Sequence, residues 1–149
     1  MMIAHLKIRE MLPVDAPAVA EFSGELDYAA TPEFISQRIA LLNDQTVHQL
    51  FVAEHEKLGV VGWVHVVAVQ SFQADCYAEI GGLVVGALVR RAGTGTALMR
   101  AAEAWAIEHG YTSMRLRSGM HRPEAHLFYA AIGYGKVRES MLFRKVLAK

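Results

Sequence analysis

The residues with the clearest chemical potential in this 149-residue chain lie in Leu83-Val84-Val85-Gly86-Ala87-Leu88-Val89-Arg90-Arg91-Ala92-Gly93-Thr94-Gly95-Thr96-Ala97-Leu98. An apolar run enters a turn with two glycines, and the turn opens a long helical pattern. The first amides of a helix have no intrahelical acceptor, and the helix dipole places partial positive charge on them. Glycines let a phosphate approach that backbone closely, and Arg90 and Arg91 add charge. Arg90, Arg91, Gly93, Thr94, Gly95 and Thr96 are therefore candidate pyrophosphate-binding positions, with an ordinary flexible loop as the plain alternative. A dinucleotide fingerprint fits less well. Leu98 stands where its third glycine belongs, and no acid ends the next strand pattern, Ser113–Arg117, to hold a ribose.

Glu79 is a carboxylate among Tyr77, Ala78, Ile80 and Leu83. Such a charge costs free energy unless it is paired or functional, or unless it marks the solvated start of a strand. His65 interrupts the apolar run Val64–Val69, and His121 lies in Ser118–Arg122; imidazoles suit proton transfer, and equally serve as structural or surface groups. Cys76, the one cysteine, has no evident His–acid pairing and excludes an internal disulfide framework. His121 and His126 are five apart, and no cysteine or acidic cluster has ligand spacing, so no metal site is expected.

These residues need elements to position them. Leu6–Met11 reads as a strand and Asp15–Phe22 as a short helix, with Asp15 as N-cap and Pro17 in the first turn. A second helix starts at Thr31-Pro32-Glu33, carries Phe34, Ile35, Ile39 and Leu42 at helical spacing, and ends near Asn43-Asp44. Leu50–Glu54 and Val60–Val69 form a hairpin around His55–Gly59, and Tyr77–Val85 is a third long strand. Gly95–His109 is a helix closed by Gly110, followed by the strand Ser113–Arg117. Pro123–Ile132 is a helix ended by Gly133, and a last strand spans about Lys136–Val146. The order β-α-α-β-β-β-α-β-α-β predicts an α/β domain with a mixed sheet. With no repeat, low-complexity tract or linker, residues 1–149 read as one domain.

The sequence resembles the GNAT acetyltransferase family over nearly its whole length. That family's coenzyme turn, Gln/Arg-x-x-Gly-x-Gly/Ala, is matched by Arg90, Gly93 and Gly95, after the Val-rich run Leu83-Val84-Val85. Its later Ala-x-x-Phe-Tyr run ending in Gly-Phe/Tyr is matched by Ala125-His126-Leu127-Phe128-Tyr129 and Gly133-Tyr134. Two departures stand out: Ala87 and Val89 replace a proline and an aromatic common before the turn, and Ala92 replaces a basic or small polar residue. Neither removes a backbone amide.

The resemblance implies a single-domain acyl-CoA N-acyltransferase fold, a mixed, mostly antiparallel sheet flanked by helices. It implies acetyl-CoA as cosubstrate and direct acetyl transfer to a primary amine of a small molecule or peptide. It also implies a splay and bulge in Glu79–Val85, where the backbone of Leu83, Val84 and Val85 meets the thioester and pantetheine arm. Tyr129 is then the general acid that protonates the leaving thiolate. A core tyrosine packed with Phe128 and Ile132 is the alternative, although Phe128, one step round the helix, points elsewhere. Glu79 is the candidate base, directly or through water, with His65 and His121 behind it. The acceptor belongs between the first two helices and the sheet. There Glu25, Asp27 and Glu33, around the loop Leu26–Pro32, either attract a cationic amine or are simply solvated. Ser118–His126 is similar to bacterial acetyltransferases of aminoglycosides or small amines, and no acceptor is named from that likeness. Dimers are common in the family, which adds a homodimer to the expectations. A non-catalytic acyl-CoA sensor would need the same turn, but neither Tyr129 nor a base.

Composition limits the partners. The chain is 53% hydrophobic, enough for a core. No uninterrupted apolar run reaches the roughly 20 residues of a membrane span, and the first residues lack a signal-peptide layout. A cytoplasmic protein is expected. Fifteen acidic and fifteen basic residues balance without long runs, against a nucleic-acid or anionic-membrane surface. A small-molecule partner is the expectation.

Overall fold

The alternating, β-branched runs pair as five strands in the order β1-β2-β3-β4-β5: Leu6–Glu10, His48–His55, Gly59–Val69, Tyr77–Val85 and Met114–Leu116. The computed structural model describes residues 6–24, 30–86, 89–90, 92–120 and 122–148. Arg91, His121, Glu25, Asp27 and Ala87, all singled out in the sequence, lie outside them. The first four strands are antiparallel to their neighbours, and β5 joins β4 in parallel. This is the mixed, mostly antiparallel sheet expected. The chain divides into two compact units, Met1–Arg117, which holds the sheet, and Ser118–Lys149.

In the first unit, helices cover both faces of the sheet. α1 (Ala16–Gly24) and α2 (Pro32–Asn43) bury Ala16, Val19 and Ile39 against Leu50 and Val52, with Trp63 packed alongside. α3 (Thr94–Glu108) buries Leu98, Met99, Ala102 and Trp105. A Cβ on Gly62 would stand 3.3 Å from Leu98 Cδ1, so α3 lies on the face opposite Trp63, its alternating neighbour on β3. α2 begins where the sequence placed it, with the Thr31 hydroxyl accepting from Phe34 N–H at 3.1 Å.

Two boundaries differ from the sequence reading. Asp15 is not the N-cap of α1. It closes a 3₁₀ turn, Pro13–Asp15, and its carboxylate reaches back to accept Leu12 N–H at 2.8 Å. The same carboxylate takes two bonds from Arg9, at 2.9 and 2.8 Å, and Arg9 also donates to Glu54 on β2. A buried acid with a strand-borne arginine in reach is stabilised by that pair rather than by a helix end. The expected last strand, Lys136–Val146, has no regular secondary structure, and Val137, Met141, Leu142 and Phe143 are exposed. Alternation assigns side chains to two faces, but a strand also needs a neighbouring edge for its backbone bonds.

In the second unit, α4 (Pro123–Ala131) starts with proline in its first turn. Gly133, at φ 103°, takes the left-handed conformation beyond its end. Among the described residues no helix is long and apolar enough to cross a membrane.

Candidate active site

Two adjacent glycines interrupt β4, and the sheet opens there. His65 of β3 pairs with Gly82 while Val66 pairs with Ile80, so Gly81 is an extra residue in the ladder, a β-bulge. On the other side, β5 pairs with β4 only over Ala78–Ile80. From Gly81 to Val85, the β4 edge facing away from β3 has no strand beside it among the described residues. Backbone groups along that edge therefore have no strand partner among the described residues. Leu83, Val84 and Val85 occupy this stretch. The Val84 side chain is buried, so its backbone is what that edge presents.

The chain leaves β4 through a tight turn. Gly86 N–H donates to Val61 O at 2.7 Å, Val89 N–H to Gly86 O and Ala92 N–H to Val89 O. Val89 is fully buried and anchors the turn from inside, a task an aliphatic side chain performs without the aromatic. Arg90 Nε donates to Val85 O at 3.2 Å, tying the turn back to β4. Gly93 has φ 88°, a conformation side-chain-bearing residues rarely adopt. The first helical bond is Ala97 N–H to Gly93 O, so the amides of Thr94, Gly95 and Thr96 precede the first acceptor in α3. The first turn of α3 holds no acid. The Thr94 side chain is buried, its hydroxyl unpartnered among the described residues, which leaves the Thr94 backbone as its contribution outward.

On the α1–α2 face, polar groups gather beside the bulge. Glu79 is half-buried between Val67 of β3 and Arg115 of β5, with Arg117 Nε 4.0 Å from its carboxylate. It stands inside the sheet, neither at a solvated strand start nor fully enclosed. His65 lies over the bulge: a Cβ on Gly81 would come 2.5 Å from its Nδ1. Its Nε2 is 2.9 Å from His48 Nδ1 on β2, and the two rings stack at 5.1 Å. Burial pushes His65 down to about 4, helped by His48 and by Arg38 of α2. Burial and Arg38 also lower His48. Trp63 lies over Gly82, where a Cβ would meet its ring at 2.9 Å, and its buried Nε1 has no partner among the described residues. Glu33, by contrast, is exposed in the first turn of α2.

His48 and Trp63 were not singled out in the sequence, whereas the family resemblance implied a bulge within Glu79–Val85, and the register shift falls inside that range, at Gly81. The signal was Gly81-Gly82, since paired glycines in mid-strand mark a bulge or a close approach.

In the second unit, Tyr129 is half-buried on α4, and burial raises its phenol, partly offset by Arg122. Phe128 points in another direction, as the sequence implied, yet meets it edge-on at 5.2 Å, and Tyr134 packs at 6.2 Å. Neighbours on a helix point about 100° apart, yet large rings at that angle still touch edge to face. Among the described residues no group of three or more His, Cys, Asp or Glu is placed to hold a metal.

The model of the acetyltransferase (GNAT) family matches residues 9–134, most of the chain. The chain belongs to that family. Solved structures agree on the acetyltransferase fold. One is an aminoglycoside antibiotic 6'-N-acetyltransferase from Acinetobacter baumannii, with TM-score 0.82 and 17% identity, covering 96% of this chain and 99% of that one. A transcriptional regulator from Bacillus halodurans gives TM-score 0.83 at 21% identity, covering 95% and 100%. A second aminoglycoside acetyltransferase, in complex with a CoA-S-monomethyl-acetylneamine bisubstrate analogue, gives 0.83 at 15%, covering 96% and 99%. No curated protein matches this chain in sequence.

Proposed function

We infer that this chain is an acetyl-CoA-dependent N-acetyltransferase that moves acetyl directly to a primary amine of a small molecule or peptide. The observation that carries this reading is the opening of β4. At Gly81 the ladder bulges and β5 stops pairing, and the same strand leads through Gly86 to the amides of Thr94, Gly95 and Thr96. In this reading the pyrophosphate lies on those amides, with Gly93 shaping the turn and Arg90 and Arg91 adding charge. Pantetheine pairs with the open backbone of Leu83, Val84 and Val85. Glu79 takes the proton of the incoming ammonium, and Tyr129 protonates the departing thiolate. Residues 1–149 act as one domain, a reading supported by a family match that crosses the boundary between the two units.

The relatives support an amine acceptor, since two of the similar structures are aminoglycoside acetyltransferases. The similarity to a transcriptional regulator favours a second reading, an acyl-CoA-binding sensor that uses the turn and not the proton-transfer groups. Thiol release from acetyl-CoA across a panel of amines, beside calorimetry with acetyl-CoA and NAD, separates the readings. Acetyl-CoA binding with thiol release is the expected result. Binding without release from any amine leaves the sensor, and NAD binding without acetyl-CoA binding removes both.

A further inference from the structure

Transfer to an ammonium releases two protons from nitrogen. Glu79 takes the first. The second leaves the tetrahedral adduct after attack, when nitrogen carries a positive charge. We propose that His65 and His48 are a proton relay for this second proton, running from the β4 bulge to solvent. The proposal rests on the transfer site lying at that bulge, as argued above.

Three features carry it. Gly81 is the extra residue of the bulge, and its missing Cβ is what admits the His65 ring, Nδ1 foremost. His65 Nε2 and His48 Nδ1 are 2.9 Å apart, so one N–H is shared between them. His48, at the start of β2, is half-buried. When both imidazoles carry their proton on Nε2, His65 donates to His48 and turns a bare Nδ1 toward the bulge.

The step then balances. The adduct's N–H bond breaks and its proton joins His65 Nδ1. The His65 Nε2 proton moves to His48 Nδ1, and the His48 Nε2 proton passes to water. The nitrogen lone pair stays with the adduct, which collapses to the amide and expels the thiolate, and Tyr129 protonates that sulfur. Exchange with water after product leaves restores both Nε2–H tautomers, returns a proton to the Tyr129 phenolate and removes the one that Glu79 took. Charged groups around the pair favour conduction over storage. Arg38 of α2 opposes a positive His65, as burial does. Glu79 and Arg115 lie further along the same face on β4 and β5.

The test has two arms on the full chain. Nitrogen-15 NMR of labelled histidines in the wild-type protein at pH 7 reads the tautomers without any substrate. Nε2–H on both rings is expected, and Nδ1–H on His65 overturns the relay. In the second arm, thiol release is followed with acetyl-CoA and the best acceptor among neamine, spermidine and a lysine-containing peptide. His65→Gln should lower kcat on the order of 10²-fold with the acetyl-CoA KM unchanged. His48→Asn should give a smaller loss and turn a curved proton inventory in H2O–D2O mixtures into a straight one. Free imidazole should restore part of either loss. Folded variants with wild-type kcat and a wild-type inventory overturn the relay and leave the acetyltransferase reading standing. A wild-type protein that binds acetyl-CoA but releases no thiol with any amine overturns both. If His65→Gln does not fold, the wild-type tautomers and His48→Asn still decide.

Discussion

Replacing Tyr129 with Phe keeps the ring that packs edge-on against Phe128 and Tyr134 and removes only the hydroxyl. If Tyr129 is the general acid, the change should cost on the order of 10²-fold or more in kcat, with the free energies of coenzyme binding and folding within about 1 kcal/mol of wild type. Steady-state kinetics beside a melting curve checks this, and an unchanged kcat assigns the ring to packing alone. Glu79→Gln should behave differently. Its loss should be greatest at low pH, where the amine is fully protonated, and should shrink as rising pH deprotonates the amine without help. A wild-type pH–rate profile in that variant removes Glu79 from the reaction. Stability should follow pH in two stages. His65 is held neutral down to about 4, below the unfolded value of about 6.5. The stability it contributes is therefore present above pH ~6.5 and is lost as pH falls toward the folded value. Burial alone would raise the Asp15 carboxyl, but bonds from Arg9 and Leu12 N–H leave it below its ordinary value. Its contribution is present above about pH 4 and is lost only below that. Melting curves from pH 8 to 3 should show both limbs, and His65→Gln should flatten the upper one.

The decisive element is the strand–turn–helix unit of β4 and α3. Gly93 combines a φ of 88° with a place directly before Thr94, Gly95 and Thr96, whose amides precede the first acceptor within α3. Gly93→Val adds strain of order 1–3 kcal/mol and a branched side chain where the proposed function puts the pyrophosphate. Acetyl-CoA affinity should fall severely by calorimetry while the far-UV spectrum keeps its shape. Unchanged affinity in the folded variant would move the phosphates elsewhere. The sequence made this unit legible because its cues are local: a Val-rich run, glycines at fixed spacing, and Gly110 after the helix, at φ 86°. The β4 strand, Tyr77–Val85, has the limits the pattern gave it. The start of α1 was misread because Asp15 is equally suited to cap a helix and to bind an arginine. Arg9, six residues away on β1, decided between them.

At the scale of the whole molecule, the proposed reading of residues 1–149 as one domain requires the two compact units to unfold together. Both tryptophans, Trp63 and Trp105, belong to the first unit, whereas backbone dichroism reports helices of both. Urea unfolding followed by fluorescence and by far-UV dichroism should therefore give coincident transitions, the mark of one cooperative domain. Saturating acetyl-CoA should shift both together by mass action. Separated midpoints would make the second unit an independent piece.

The sequence by itself determined the element order from β1 to α4, the glycine turn before α3 and the family pattern, because each depends on residues close together along the chain. Helical and strand periods, caps and glycine positions are all set within a turn or two. It did not determine the pairing of His48 with His65, which are 17 residues apart and meet only through the β2–β3 register. Nor did it place the bulge at Gly81, where the register shifts and β5 leaves. The segment Lys136–Val146 shows the same limit from the other side. Its alternation is a strand's, but a ladder is made by two strands, and only the tertiary structure decides whether the second one is there.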